Sequence, residues 1–178
     1  MTLASLSMAV LVALSNYLVK FPINDWLTWG AFVYPVTFLV TELMNRFYGA
    51  PRARRVVYVG YIAAIIFSSM MADFRIALAS STAFLISQLL DISVFNRFRR
   101  AVWWYAPAIA SLLATSIDTF LFFSIAFAGT ELPWMTMGAG DFVVKLSMDI
   151  LLLLPFRMCL IKNIPSISQS QTPILKGI

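Results

Sequence analysis

The sequence predicts an all-α integral membrane protein of six transmembrane helices with both termini cytoplasmic, and three observations predict it. Of 178 residues, 61% are hydrophobic and 12% charged, well beyond the apolar share of about 45–50% typical of soluble domains. The apolar residues gather into six runs, each near the ~20 residues of helix that a hydrocarbon core requires. Cations collect in every second connection, as they do in cytoplasmic loops.

The first run, Leu3 to Phe21, is preceded by no basic n-region and is therefore expected to remain in the protein as a span. Pro22 to Asp25 separates it from a second run, about Trp26 to Met44, in which Pro35 frees a backbone carbonyl and favours a kink. The loop expected from Gly49 to Arg55 carries Arg52, Arg54 and Arg55. The third run, Val56 to Ala72, turns tightly at Asp73 to Arg75 into the fourth, Ile76 to Phe95, which Asn96 to Arg100 closes. The fifth, Ala101 to Ala128, exceeds the bilayer, an excess that tilt or an interfacial first turn absorbs. Gly129 to Gly140 reads as a loop before the sixth run, Asp141 to Ile161. Residues 1–162 thus form one transmembrane domain, and the Pro-, Ser- and Gln-containing tail, 163–178, reads as a disordered cytoplasmic segment.

Ten of the 13 cations fall on the side of the termini, Arg46, Arg97 and Lys162 among them, whereas the opposite side holds Lys20 and Arg75 beside Asp25, Asp73 and Glu131. This alternation assigns the net charge of +5 to topology and not to nucleic-acid binding. Trp26, Trp29, Trp134 and the Trp103-Trp104-Tyr105 cluster read as interface-belt aromatics. With no His and a single cysteine, Cys159, the chain lacks the parts of a Cys/His zinc site, a Ser-His-Asp triad or an internal disulfide. No Walker motif is present, so the chain cannot itself hydrolyse ATP. No cofactor or metal is expected, and an enzyme is disfavoured.

Ionisable groups inside such runs are costly, roughly 2.5–3.5 kcal/mol at mid-bilayer, and therefore mark sites. The sixth run carries Asp141, Lys145 and Asp149 at four-residue intervals on one helical face, either as a self-neutralised ladder or as part of a site. The fifth aligns Ser111, Thr115, Asp118 and Phe122, with no cation near Asp118 in sequence; the fourth aligns Phe84, Gln88 and Asp91. Asp91 could pair with Arg97, and Glu42, on a stripe with Pro35, Phe38 and Asn45, could pair with Arg46. Asn16 sits near the outer end of the first run. Polar groups on at least five runs converge on a small hydrophilic pocket.

Several segments carry a resemblance: Ser15 to Val19, Thr28 to Phe32, Gly49-Ala50-Pro51 with Ala53-Arg54-Arg55, and Val94 to Arg97. Gln88, Asp91, Trp103-Trp104, Ala106-Pro107, Asp118-Thr119, Ile125 to Phe127, Asp141 and Lys145 follow in order. Over about residues 15–160 the chain resembles the queuosine precursor transporters. That resemblance implies a multi-pass protein of the bacterial inner membrane that imports 7-cyano-7-deazaguanine for tRNA modification, leaving open the 7-aminomethyl form. The sequence departs from the pattern at Glu42, where Asp is usual, in the short Asp73 to Arg75 link that bears on the outer gate, and at Asp149, which the pattern lacks.

For such a substrate, Asp118 is the candidate acceptor for the N1-H and exocyclic amine. Gln88 or Asn16 would read the carbonyl or pyrrole N–H, Phe38 or Phe84 would stack, and Lys145 would keep the acids ionised. Glu42, Asp91, Asp141 and Arg75 are the candidates for coupling or gating. The expected partners are the deazapurine and the lipid bilayer, and a homodimer is compatible with the sequence. Uptake could be facilitated or proton-coupled; the competing assignment is a membrane-embedded binding subunit of an ATP-driven vitamin or purine uptake system.

Overall fold

A computed structural model describes residues 2–18, 21–24, 27–71 and 74–163. Lys20, Asp25, Trp26, Asp73 and the expected tail from 164 onward lie outside the described residues. The elements are α1 (Thr2–Leu18), β1 (Pro22–Asn24), β2 (Leu27–Thr28), α2 (Gly30–Val33), α3 (Pro35–Tyr48), α4 (Ala50–Met71), α5 (Phe74–Phe98), α6 (Tyr105–Phe127) and α7 (Trp134–Asn163). The chain is thus mainly helical, with one amendment to the all-α expectation: β1 and β2 pair antiparallel where a plain loop was expected.

Three helices are long and apolar enough to cross a membrane, over Ala50–Met70, Phe74–Phe98 and Tyr105–Phe127, and Thr2–Leu18 is a shorter apolar helix. The second run differs from a continuous span because Pro35 begins a new helix immediately after Tyr34, dividing it into α2 and α3. A proline at the first helical position lacks only an N–H that would have no intrahelical partner anyway.

Two expected loops prove partly helical. Gly49, at φ 85°, ends α3 in a backbone conformation that glycine tolerates without strain. Helix α4 then begins at Ala50, so that Pro51 to Arg55 form its first turns instead of a loop. Likewise α7 starts at Trp134, seven residues before the expected Asp141. Gly138 lies inside α7 with the Phe123 ring of α6 packed against it, so a Cβ there would stand 3.4 Å from that ring.

Helix α5 lies along α6, α1 along α4, and α3 sits among α4, α5 and α7. Small buried residues, Ala79 and Ala83 on α5 and Ala106, Ala110 and Ala114 on α6, permit the close backbone approach on which helix association in lipid depends. Gly60 does the same between α1 and α5: a Cβ there would lie 2.5 Å from Met8 Cγ and 3.0 Å from Phe84 Cζ. Met8, Val12, Val56, Val57, Phe84 and Ile92 form one apolar core, and Phe95, Ala106, Ala110 and Phe156 a second nearer the basic end. Leu6, Ile62, Met70, Phe120 and Leu154 point outward and are exposed.

Candidate substrate pocket

Between the two ends of the bundle runs a column of buried polar groups. At the hairpin end Lys145 Nζ lies 2.6 Å from Asp141 Oδ2 and 3.0 Å from Asp118 Oδ2. Tyr34 Oη donates to Asp118 Oδ1 at 2.6 Å, Ser87 Oγ donates to the same oxygen at 3.3 Å, and Thr119 Oγ1 donates to Asp141 Oδ2 at 3.1 Å. The ammonium also stands 4.9 Å from the centroid of the Tyr34 ring. Lys145 is 7% exposed and Asp118 3%, a depth at which an isolated charge could not be held.

Sequence suggested that Lys145 faces Asp141 and Asp149 along its own helix; instead it bridges Asp141 and, on α6, Asp118. A long side chain on a helix leans toward the N-terminus, which brings Asp141 within reach and leaves Asp149 behind. Asp149 Oδ2 accepts from Thr115 Oγ1 at 2.6 Å.

Tyr34, Asp118, Asp141 and Lys145 form one wall of a cavity of about 240 Å³. Ser15, Asn16, Thr28, Tyr34, Ser80, Asp118, Asp141 and Lys145 supply its polar lining, and Phe122, Phe123, Phe127, Leu27, Ile76 and Met137 much of its apolar lining. The volume is below the ~300–1,000 Å³ of drug-sized pockets and suits a compact ligand. Among the described residues no group of three or more His, Cys, Asp or Glu side chains is gathered closely enough to hold a metal ion.

Of the residues singled out in sequence, Asp118, Lys145 and Asn16 line the cavity, and Asp141, assigned there to coupling, joins them. Asn16 Nδ2 donates to Ser68 Oγ on α4 at 3.1 Å. Gln88, Phe38 and Phe84 are absent from the lining. Gln88 is fully buried and committed to α3, donating to Thr37 Oγ1 at 2.8 Å and accepting from Thr41 Oγ1 at 2.6 Å. Phe38 and Phe84 lie 1% exposed in the core behind the cavity, with Tyr34 packed edge-on against each.

Arg75, in the first turn of α5, donates through Nε to Ile125 O at 2.7 Å and through Nη2 to Ala128 O. It ties that turn to the last carbonyls of α6, which a cation complements. The alternative pairings of the acids are not formed. Glu42 Oε1 accepts from Ser111 Oγ at 2.7 Å, while Arg46 Nη1 donates to Arg99 O. Asp91 is fully buried, and Arg97 is exposed.

Tyr34 and Ser87 were missed in sequence. Tyr34 was findable, because it stands one helical turn before Phe38 on the stripe that continues to Glu42 and Asn45; the break at Pro35 concealed it.

Comparison with known proteins follows the same lines. A family model described as "Putative vitamin uptake transporter" matches residues 28–74 and 72–160. A "Probable queuosine precursor transporter" of Haemophilus influenzae is 34% identical, covering 82% of this chain and 79% of that protein. The "Queuosine precursor transporter" of Escherichia coli is also 34% identical, over 85% of this chain and 81% of its own length. A "Probable queuosine precursor transporter" of Bacillus subtilis is 25% identical over 80% of this chain and 75% of that protein. No solved structure matches the chain significantly.

Proposed function

The chain belongs to the vitamin uptake transporter family, and from that premise we propose that it imports 7-cyano-7-deazaguanine across the bacterial cell membrane to supply tRNA modification. The observation that carries this reading is the donor and acceptor order on the cavity wall. A 7-deazaguanine presents, side by side, a carbonyl oxygen, an N1-H and an amine. Lys145 Nζ has three N–H donors, and two already meet Asp118 and Asp141. The third is left for the carbonyl, while Asp118 and Asp141 accept the neighbouring N–H pair. Adenine reverses this order and would turn a ring acceptor toward a carboxylate. Each charge-assisted bond forfeited costs about 1.5–3 kcal/mol, enough for strong rejection.

Stacking falls to Tyr34 and the Phe122, Phe123 and Phe127 cluster, because the rings of Phe38 and Phe84 are enclosed by core. Asn16 Oδ1 is the acceptor for the pyrrole N–H. The 7-aminomethyl base shares the recognition edge and is the second candidate substrate.

Thermal denaturation of the purified protein tests this assignment. At 100 times its dissociation constant, 7-cyano-7-deazaguanine should stabilise the fold by about 2.7 kcal/mol, and adenine at the same concentration should not. Equal stabilisation by both, or by neither, would reject the pocket assignment.

The proposed topology has six spans, with α2 and α3 together as the second. Both termini and residues 49–55 face the cytoplasm, and residues 130–137 face outward. In a Cys159→Ser background, a cysteine at position 132 should react with a membrane-impermeant maleimide in intact cells, and one at position 52 only after lysis. Labelling of position 52 in intact cells would invert the arrangement.

A further inference from the structure

Beyond the base pocket, toward the basic end, lies a second group of buried acids. Glu42 on α3, Asp91 on α5 and Asp149 on α7 are 4%, 0% and 7% exposed. The Asn45 to Ile92 hydrogen bond sets the turn of α3 next to Glu42 against the turn of α5 that carries Asp91. Their hydroxyl donors come from one face of α6, Ser111 to Glu42 and Thr115 to Asp149. Among the described residues nothing donates to either oxygen of Asp91 or to Asp149 Oδ1. Asn45, one turn beyond Glu42 and fully buried, donates to Ile92 O at 3.0 Å and leaves its own Oδ1 as another acceptor without a donor.

Neutralisation from neighbouring elements is meagre. Lys145, one turn along α7 from Asp149, already bridges Asp118 and Asp141. From α3, Arg46 turns to the Arg99 carbonyl. From α5, Arg97 is exposed, and from α7, Arg157 lies over the Trp103 ring. Helix α4 faces inward with Ala53, Val56 and Val57 while Arg52, Arg54 and Arg55 are exposed; α1 contributes Met8 and Val12. The acids are also not gathered into a metal-holding set. Three ionised carboxylates with no ion-pair partner of their own are prohibitively costly in such surroundings, and the species that both neutralises a carboxylate and turns an acceptor into a donor is a proton.

We propose that Glu42, Asp91 and Asp149 form a proton-binding site, distinct from the base pocket, through which inward proton movement drives uptake; the driving role rests on the transport reading above. The site lies on α3, α5, α6 and α7. Three of these elements also line the pocket, α5 through Ser80 and Ala83, α6 through Asp118, and α7 through Asp141 and Lys145, and Tyr34 immediately precedes the fourth, α3. Between the two, Gln88 is clasped by Thr37 and Thr41. Any helix movement that carries the base inward therefore moves the acids as well. In one cycle a carboxylate takes a proton from the outer, cavity side and returns it, as the same carboxylate, to the cytoplasmic side.

The test uses the full chain in proteoliposomes with a pH dye in the lumen, together with infrared spectroscopy. At neutral pH the wild type should show a protonated-carboxyl C=O stretch, part of which disappears in Asp91→Asn. With the outside acidic, 7-cyano-7-deazaguanine should accumulate up to about tenfold per pH unit for each proton carried, and the lumen should acidify when the base is added. Asp91→Asn, whose amide supplies the missing donors, should bind and exchange the base yet lose accumulation and acidification. Asp149→Asn gives the same reading should Asp91→Asn fail to fold. Substrate exchange by the wild type without acidification overturns the proposal, as does gradient-driven accumulation by the variants equal to wild type. A wild type that binds no deazaguanine would defeat the transport reading instead, and the infrared difference would still decide whether the acids hold protons: its presence supports the site, its absence removes it.

Discussion

Lys145→Met is expected to destabilise the fold by about 3–5 kcal/mol, the cost of leaving buried charges without their partner. The ammonium is 7% exposed and touches two carboxylates at 2.6 and 3.0 Å, with the Tyr34 ring beneath it. Methionine fills similar volume, so the loss measures electrostatics and not a cavity. Converting both partners as well, in Lys145→Met with Asp118→Asn and Asp141→Asn, should recover most of the stability, since no buried charge remains and the two amides can accept from Tyr34, Ser87 and Thr119. The triple variant should nevertheless fail to bind 7-cyano-7-deazaguanine, because the third N–H of Lys145 and both anionic acceptors are gone. Denaturation midpoints and ligand-induced shifts separate the two effects. Normal deazaguanine uptake by the triple variant would reduce Lys145 to a packing residue.

Asp118→Asn should weaken binding of the base by roughly 10²-fold or more, combining the loss of a charge-assisted acceptor, about 1.5–3 kcal/mol per bond, with a misplaced donor. Asp118 now accepts from Tyr34 and Ser87 on one oxygen and from Lys145 on the other. An amide must turn its NH2 toward one of those donors, and against Lys145 that contact is repulsive. Glu42→Gln and Asp91→Asn, outside the cavity lining, should retain the binding constant within a few-fold. Isothermal titration of the three variants provides the comparison. Intact binding by Asp118→Asn with loss in Asp91→Asn would exchange the roles assigned to the two acids.

Much of this was legible without coordinates. Hydropathy located the apolar helices, because a lipid-facing surface demands apolar side chains all along its length. Helical spacing placed Asp141, Lys145 and Asp149 on one face, and Asp118 stood out as a carboxylate needing a partner from another helix. The helix limits at Gly49 and Trp134 were harder to locate. Arginines in a first turn and glycines in a helix read as loop by propensity, yet exposed arginines and the Phe123 contact at Gly138 accommodate them.

What sequence by itself determined, then, is an apolar helical chain with a few costly polar groups, because the period of one helix and the expense of burying charge are properties of local sequence. What only the tertiary structure decided is which of those groups meet. Lys145 bridges to Asp118 on another helix and not to Asp149 on its own. Gln88 is held by Thr37 and Thr41, Tyr34 completes the pocket, and Asp91 is buried with no donor to either oxygen among the described residues while Arg97 is exposed. Such pairings depend on how helices distant in sequence are rotated and staggered against one another, and no periodicity within a single helix encodes that.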